Sequence, residues 1–171
     1  MSQRWIRYNE TLKYWERSVD GVNFSPVIEG WQHHCRAYRT TNQTIPHTTD
    51  VFIDFDNERL DSTGMHVVSG ATNRITILEP GLYLVGAQVR WASNTGGTFR
   101  ALRLKTSNGD VIAVVSFSPL NSVTDQIVTT MWKFALNEWV TVEVAQNSGG
   151  NLDIVSQASF SPEFWAVRLG A

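Results

Sequence analysis

His33-His34-Cys35 sets two imidazoles and a thiol side by side, the side-chain chemistry of a zinc-type centre. In a strand, consecutive side chains leave opposite faces, so only His33 and Cys35 would share a side. No C-x-x-C or H-x-x-x-H partner stands nearby, although one histidine repeated around a three-fold axis would supply a three-ligand set. Polar residues at a strand edge account for the triplet without a metal. Asp50, Asp54, Asp56, Asn57, Glu58 and Asp61 raise calcium in the same way. Their spacing lacks the glycine and distal glutamate of a helix-loop-helix calcium site, and hard cations need about six or more converging oxygens. They read as a solvated strand face and its turn. Glu79 and Glu163 would be the acid and base of a glycosidase, but each stands beside a proline at a strand boundary, where a carboxylate faces water. No serine occupies a Gly-x-Ser-x-Gly elbow, Cys35 lacks the context of a cysteine protease, and Gly64, Gly70, Gly81 and Gly86 precede no phosphate-binding helix. The sequence therefore assigns no catalytic residue, no metal ligand and no cofactor.

The elements that would hold these residues are strands. Val51, Ile53 and Phe55 alternate with Phe52, Asp54 and Asp56; Leu102 and Leu104 alternate with Arg103 and Lys105; Val140, Val142 and Val144 alternate with Thr141 and Glu143. Gly96-Gly97, Asn108-Gly109 and Gly149-Gly150 mark tight connections. Beyond His33 no window shows helical amphipathicity, and the regular strand spacing predicts an antiparallel all-β sandwich. With 171 residues there is room for one domain with a substantial core and a small appendage.

Charged residues are only 18% and the formal net charge is −2, so the chain carries no electrostatic footprint for nucleic acid. No apolar run reaches the length of a membrane span, and Met-Ser-Gln-Arg-Trp does not read as a secretory signal, which predicts a product made in a cytoplasm and not exported by that route. One cysteine excludes an internal disulfide framework. Seven tryptophans suit a β-core or a buried interface.

The run from Arg74 to Trp91 carries more information than any of these. It reads as a short strand, a Pro80-Gly81 corner and a long strand. Tyr83, Val85, Ala87, Val89 and Trp91 lie on one side, and Leu82, Leu84 and Gly86 on the other before Gln88 and Arg90. A strand apolar on both faces has to be covered on both. One face meets the second sheet; identical subunits are the cheapest cover for the other.

Gly81-Leu82-Tyr83-Leu84-Val85 resembles the strand after the Pro-Gly corner in the jelly rolls of the tumour necrosis factor and complement globular-head superfamily. Further segments resemble the same family in order. Phe55 to His66 is similar to the stretch before the corner in bacterial and bacteriophage members, and Asn108 to Ile112 to the midpoint hairpin. Leu136 to Val144 resembles the turn into a late strand, with Asn137-Glu138 replacing the usual Gly-Asp, and Ser161 to Leu169 resembles the closing strand. The resemblance covers residues 33 to 171 and implies a homotrimeric jelly roll. Some complement-type members bind calcium near the trimer apex, which keeps the acidic cluster open as a site. In the family topology Leu84, Gly86, Gln88, Ile127, Thr129, Met131, Trp165, Val167 and Leu169 would share one face, the expected trimer interface. Trp132, Phe134 and Phe164 are expected in the core.

Residues 1 to 28 break into short segments, with a hairpin signal at Asp20-Gly21, and resemble the small β-meanders of bacteriophage fibre and head proteins. A short helix over Glu10 to Arg17 is the competing reading. Residues 29 to 32 act as a joint. Trp5, Tyr8, Trp15 and Phe24 would be docking anchors. The resulting expectation is a non-enzymatic capsid decoration or cement protein of a tailed bacteriophage, on the outer capsid surface. Its partners would be itself and the major capsid protein or another virion protein, with no nucleic acid and no membrane. The alternatives are a fibre tip recognising host surface glycan, a soluble signalling trimer, and a glycan-cleaving enzyme.

Overall fold

The computed structural model describes residues 5–11, 14–18, 20–26, 33–120 and 122–170. Among them every regular element is a strand. Near the N-terminus β1 (Trp5–Asn9), β2 (Tyr14–Ser18) and β3 (Ser25–Pro26) form a three-stranded antiparallel sheet. The helix that competed for Glu10 to Arg17 does not form, because Tyr14–Ser18 pairs with β1 from Trp5↔Ser18 to Asn9↔Tyr14. Asp20 shapes the following turn. Its Oδ1 accepts from the Ser18 hydroxyl and from the amides of Val22 and Asn23. Those bonds, the Ser18 hydroxyl first, hold its carboxyl well below the usual range.

The remaining strands are β4 (His34–Tyr38), β5 (Gln43–Ile45), β6 (Val51–Phe52), β7 (Asn57–Asp61), β8 (Arg74–Thr76) and β9 (Gly81–Trp91). They continue with β10 (Arg100–Thr106), β11 (Val111–Phe117), β12 (Thr124–Phe134), β13 (Trp139–Gln146), β14 (Leu152–Ile154) and β15 (Glu163–Gly170). Two sheets result. One runs β11-β10-β13-β6, with β8 also on β13; the other runs β5-β14-β9-β15-β4-β7, with β12 on the free side of β9. Every pairing is antiparallel.

The period of two dictates which side chains meet between the sheets. Tyr83, Val85, Ala87, Val89 and Trp91 of β9 are fully buried, facing Leu102 and Leu104 of β10 and Val140, Val142 and Val144 of β13 in one continuous core. Phe55 and Phe164 pack as tilted rings with centroids 5.5 Å apart, and Phe134 meets Tyr83 edge-on at 5.9 Å. Burial pushes the Tyr83 phenol up to about 12, and its hydroxyl donates to the Glu79 carbonyl at 2.7 Å. Trp132 departs from the sequence expectation. It has the inward parity of Tyr83, its cross-strand partner, yet stays 38% exposed because β12 is an edge strand with no neighbour to close over it.

The turns follow local chemistry. Asn137 adopts φ +65°, a conformation asparagine tolerates, so the departure from Gly-Asp keeps the turn. Glu138 then accepts from the Ala135 amide and the Asn108 side chain. After β7, Asp61 anchors a loop alone: Oδ1 accepts from the amides of Thr63, Gly64 and Met65, and Oδ2 from that of His66. Met65 and His66 are buried, so their amides have no easy access to water. Asp61→Ala is expected to cost about 2–3 kcal/mol, since buried donors lose their acceptor. A urea midpoint shift at constant slope is the measurement.

Candidate interaction face

The ladder of the larger sheet sets the sequence-predicted interface residues side by side. Thr129, Gly86, Trp165, Arg36 and Leu60 form one row across β12, β9, β15, β4 and β7. Met131, Leu84, Val167 and His34 form the next row; Ile127, Gln88, Glu163 and Tyr38 form a third. All lie on the side of the sheet away from the core, by alternation with the buried β9 residues. Leu169 stands at a break in register between Arg168 and Gly170 and is exposed beyond these rows. His34, Arg36 and Leu60 complete the face and were not among the residues expected there.

The face is apolar and open. Ile127 is 62% exposed, Met131 60%, Leu60 44% and Leu84 36%. Arg36, Leu60, Gln88, Ile127, Trp165 and Val167 line a shallow concavity of about 620 Å³ within it. A contiguous exposed apolar surface of this kind marks an interaction site in a soluble protein. The outer side of the other sheet mixes exposed Phe52 and Val114 with paired charges. There Arg103 bridges Asp50 at 2.7 Å and Glu143 at 2.9 Å, and Lys105 meets Glu143 at 2.9 Å. Paired charges of that sort are compatible with water, whereas the part of the larger sheet formed by Leu84, Ile127, Met131, Trp165 and Val167 has only apolar side chains to present.

Gly86 has a role inside the protomer. A Cβ there would lie 2.4 Å from Cζ2 and 2.5 Å from Cε2 of Trp165, so only glycine lets the indole lie across β9. An arginine at 86 would therefore displace Trp165 before any second subunit is met. Ile127 and Met131, exposed on the same face, are the cleaner probes of association.

Glu163 corrects the expectation that it faces water. It is 3% exposed and points to the same outer side, beneath two arginines. Arg36 Nε donates to its Oε2 at 2.5 Å, and Arg59 Nε to its Oε1 at 2.6 Å. The Arg59 contact depends on a bulge: Arg36 pairs with Leu60 and Ala37 with Glu58, leaving Arg59 as the extra residue, re-aimed onto this side. Its guanidinium also lies 4.4 Å from the centre of the Tyr38 ring. Glu79 lies near the other end of β15, 3.7 Å from Arg168, so the two glutamates do not face each other as an acid and base.

The other sequence candidates separate. Cys35 turns inward and is buried, and desolvation pushes its thiol up, against nucleophilic or ligand use. His34 points to the outer face, and His33 contacts the Thr63 hydroxyl. In the acidic cluster, Asp50 pairs with Arg103, Asp56 accepts from Thr40, Glu58 from His66, and Asp61 from its own loop. Among the described residues no group of three or more His, Cys, Asp or Glu side chains is placed to hold a metal ion. The docking candidates fall on two sides of the N-terminal sheet. Trp5 packs near Gly21, and Phe24 sits under Arg7 at 3.8 Å, whereas Ile6 and Tyr8 have the opposite strand parity. Ile6, 68% exposed, was missed as a candidate; the side chain of Trp15 and the joint 29–32 lie outside the described residues.

No protein-family model matches the sequence, and no curated protein does. Solved structures match the fold over most of the chain. The globular domain of zebrafish complement 1qA aligns with 80% of this chain and 97% of its own, at 14% identity and TM-score 0.56. Murine APRIL, in a crystal structure at pH 5.0, aligns with 80% of this chain and 99% of its own, at 11% identity and TM-score 0.57. Eiger TNF from S. frugiperda aligns with 81% of this chain and 92% of its own, at 11% identity and TM-score 0.58. Two antiparallel sheets around a single core, joined in this order, give the chain the jelly-roll fold of tumour necrosis factor and complement globular-head proteins.

Proposed function

We propose that the protein is a non-enzymatic homotrimer closed through the outer face of its larger sheet, and that the trimer decorates and stabilises the capsid of a tailed bacteriophage. The observation that carries self-association is the open apolar face formed by Leu84, Ile127, Met131, Trp165 and Val167 beside Leu60. Cyclic three-fold closure joins two different patches. The second patch would be the open edge where β11 and β12 run, which exposes Phe117, Leu120 and Val123. The virion location rests on the sequence resemblance of Phe55 to His66 and of the N-terminal meander to bacteriophage proteins. In this role the trimers bridge neighbouring capsid subunits, and many buried contacts oppose internal pressure.

Sedimentation equilibrium at micromolar concentration is expected to give three chains per particle, and a folded, stable monomer would overturn the reading. Deleting residues 1 to 28 is expected to leave a soluble trimer that no longer co-sediments with particles lacking the protein. The short N-terminal sheet exposes Trp5, Ile6 and Tyr8, and aromatic anchors dominate contacts of this kind. Full binding by the truncated trimer would move docking onto the jelly roll.

A further inference from the structure

We propose that the polar cleft beside Tyr38 and Arg59 binds a pyranose carboxylate, that is, an acidic sugar unit. The cleft encloses about 360 Å³ between the end of β4, the bulge in β7 and the loop before β15. That volume is at the low end for small-molecule sites and suits one sugar unit better than a chain segment.

The cleft has cationic walls. Arg59 commits Nε to Glu163 and Nη2 to Ser161, while Nη1 makes no hydrogen bond among the described residues. The Arg39 guanidinium donates only to the carbonyls of Asp54 and Asn42, and its Nε is buried without a partner. The carboxylates nearby are Glu163, shared with Arg36, and Asp56, which accepts from Thr40; Asp54 turns its own toward Thr72. Arg59 Nη1 and Arg39 Nε thus keep guanidinium N–H groups without an acceptor, and a ligand carboxylate on Arg59 would supply one through a charge-assisted bond.

The remaining lining explains a sugar instead of a bare anion. The Tyr38 hydroxyl and the Gln157 side chain form no hydrogen bond among the described residues, and both border the cleft. The Ser156 hydroxyl donates to the Arg39 carbonyl and keeps its acceptor positions. Donors and acceptors thus border the same cleft as the Arg59 guanidinium, the mixture that pyranose hydroxyls require. Every group comes from one chain, but Tyr38 and Arg59 belong to the outer face assigned to the trimer, so the site requires the subunit contact to stop short of the β4–β7 edge.

The test is an amide-shift titration of the 15N-labelled full chain with galacturonic acid and N-acetylneuraminic acid, with galactose and acetate as controls. At least one acidic sugar is expected to bind in the millimolar range, with shifts confined to residues 38–40, 59 and 156–161. Galactose and acetate are expected to bind at least tenfold more weakly. Gln157→Ala, an exposed position, is expected to weaken binding severalfold with an unchanged fold, and Arg59→Lys by a larger factor. Equal binding of acetate would reduce the cleft to an anion contact, and equal binding of galactose would remove the role of the guanidinium. Either result, or no shift at saturating concentrations, overturns the proposal.

Discussion

Ile127 and Met131 replaced together by glutamate are expected to yield folded monomers where the unaltered chain is expected to form the proposed trimer. In the protomer both side chains are more than half exposed, at 62% and 60%, so the substitutions remove little of the protomer's own packing. Surface changes of that kind usually alter folding stability by about 0.5 kcal/mol or less. In the trimer the same positions would be covered by a second subunit, and a buried carboxylate with no partner costs several kcal/mol per site. On the same face Lys133 stands two residues beyond Met131, and Arg90, diagonal to Ile127, is already held by Asp125, so one local cation faces two introduced carboxylates. Sedimentation equilibrium and far-ultraviolet circular dichroism, measured together, check the result. Val67→Glu, at an exposed apolar loop position away from this face, is the matched control and is expected to leave trimers intact. A double variant that still trimerises would place the subunit contact elsewhere.

Gly81→Ala is expected to destabilise the fold by about 2–4 kcal/mol, among the larger effects of a single methyl. Gly81 opens β9 at φ +154°, a conformation that suits glycine. The added Cβ would lie 2.2 Å from the carbonyl oxygen of Gly170 and 3.0 Å from Arg168 Nε. The first neighbour is backbone and cannot rotate away. Relief requires β9 and β15 to part at the point where Gly170 pairs with Leu82 and Arg168 donates to Pro80. The strain therefore reaches the central strand pair of the larger sheet. A urea midpoint that falls with an unchanged slope is the expected signature. A change within about 0.5 kcal/mol would show that the corner relaxes freely.

Both experiments probe β9, and its two faces differ in how far the sequence reveals them. The inward set from Tyr83 to Trp91 was legible because side-chain alternation is a local property of an extended chain. So were the hairpin at Asn108-Gly109, the Asp20-Gly21 turn and the corner at Pro80-Gly81, where short-range sterics select the residue. The face shared by Leu84, Ile127, Met131, Trp165 and Val167 was legible only through the resemblance, since it depends on β12 and β15 flanking β9. The same information led to misplacing Trp132, because parity indicates direction but not whether a neighbouring strand closes over an edge.

From the sequence alone come the all-β architecture, the inward residues of β9, β10 and β13, the tight turns and the two-faced character of Leu82 to Trp91. These follow from periodicity and turn sterics within a few residues. Tertiary structure alone decided that Glu163 is buried under Arg36 and Arg59, that Trp165 lies over Gly86, that Leu60 joins the apolar face, and that Arg39 and Arg59 border one cleft. Each of these joins residues far apart in the chain. Arg59 meets Glu163 across 104 positions, through a one-residue bulge that no local pattern announces. Long-range strand pairing and register, set by the packing of the whole core, brought them together.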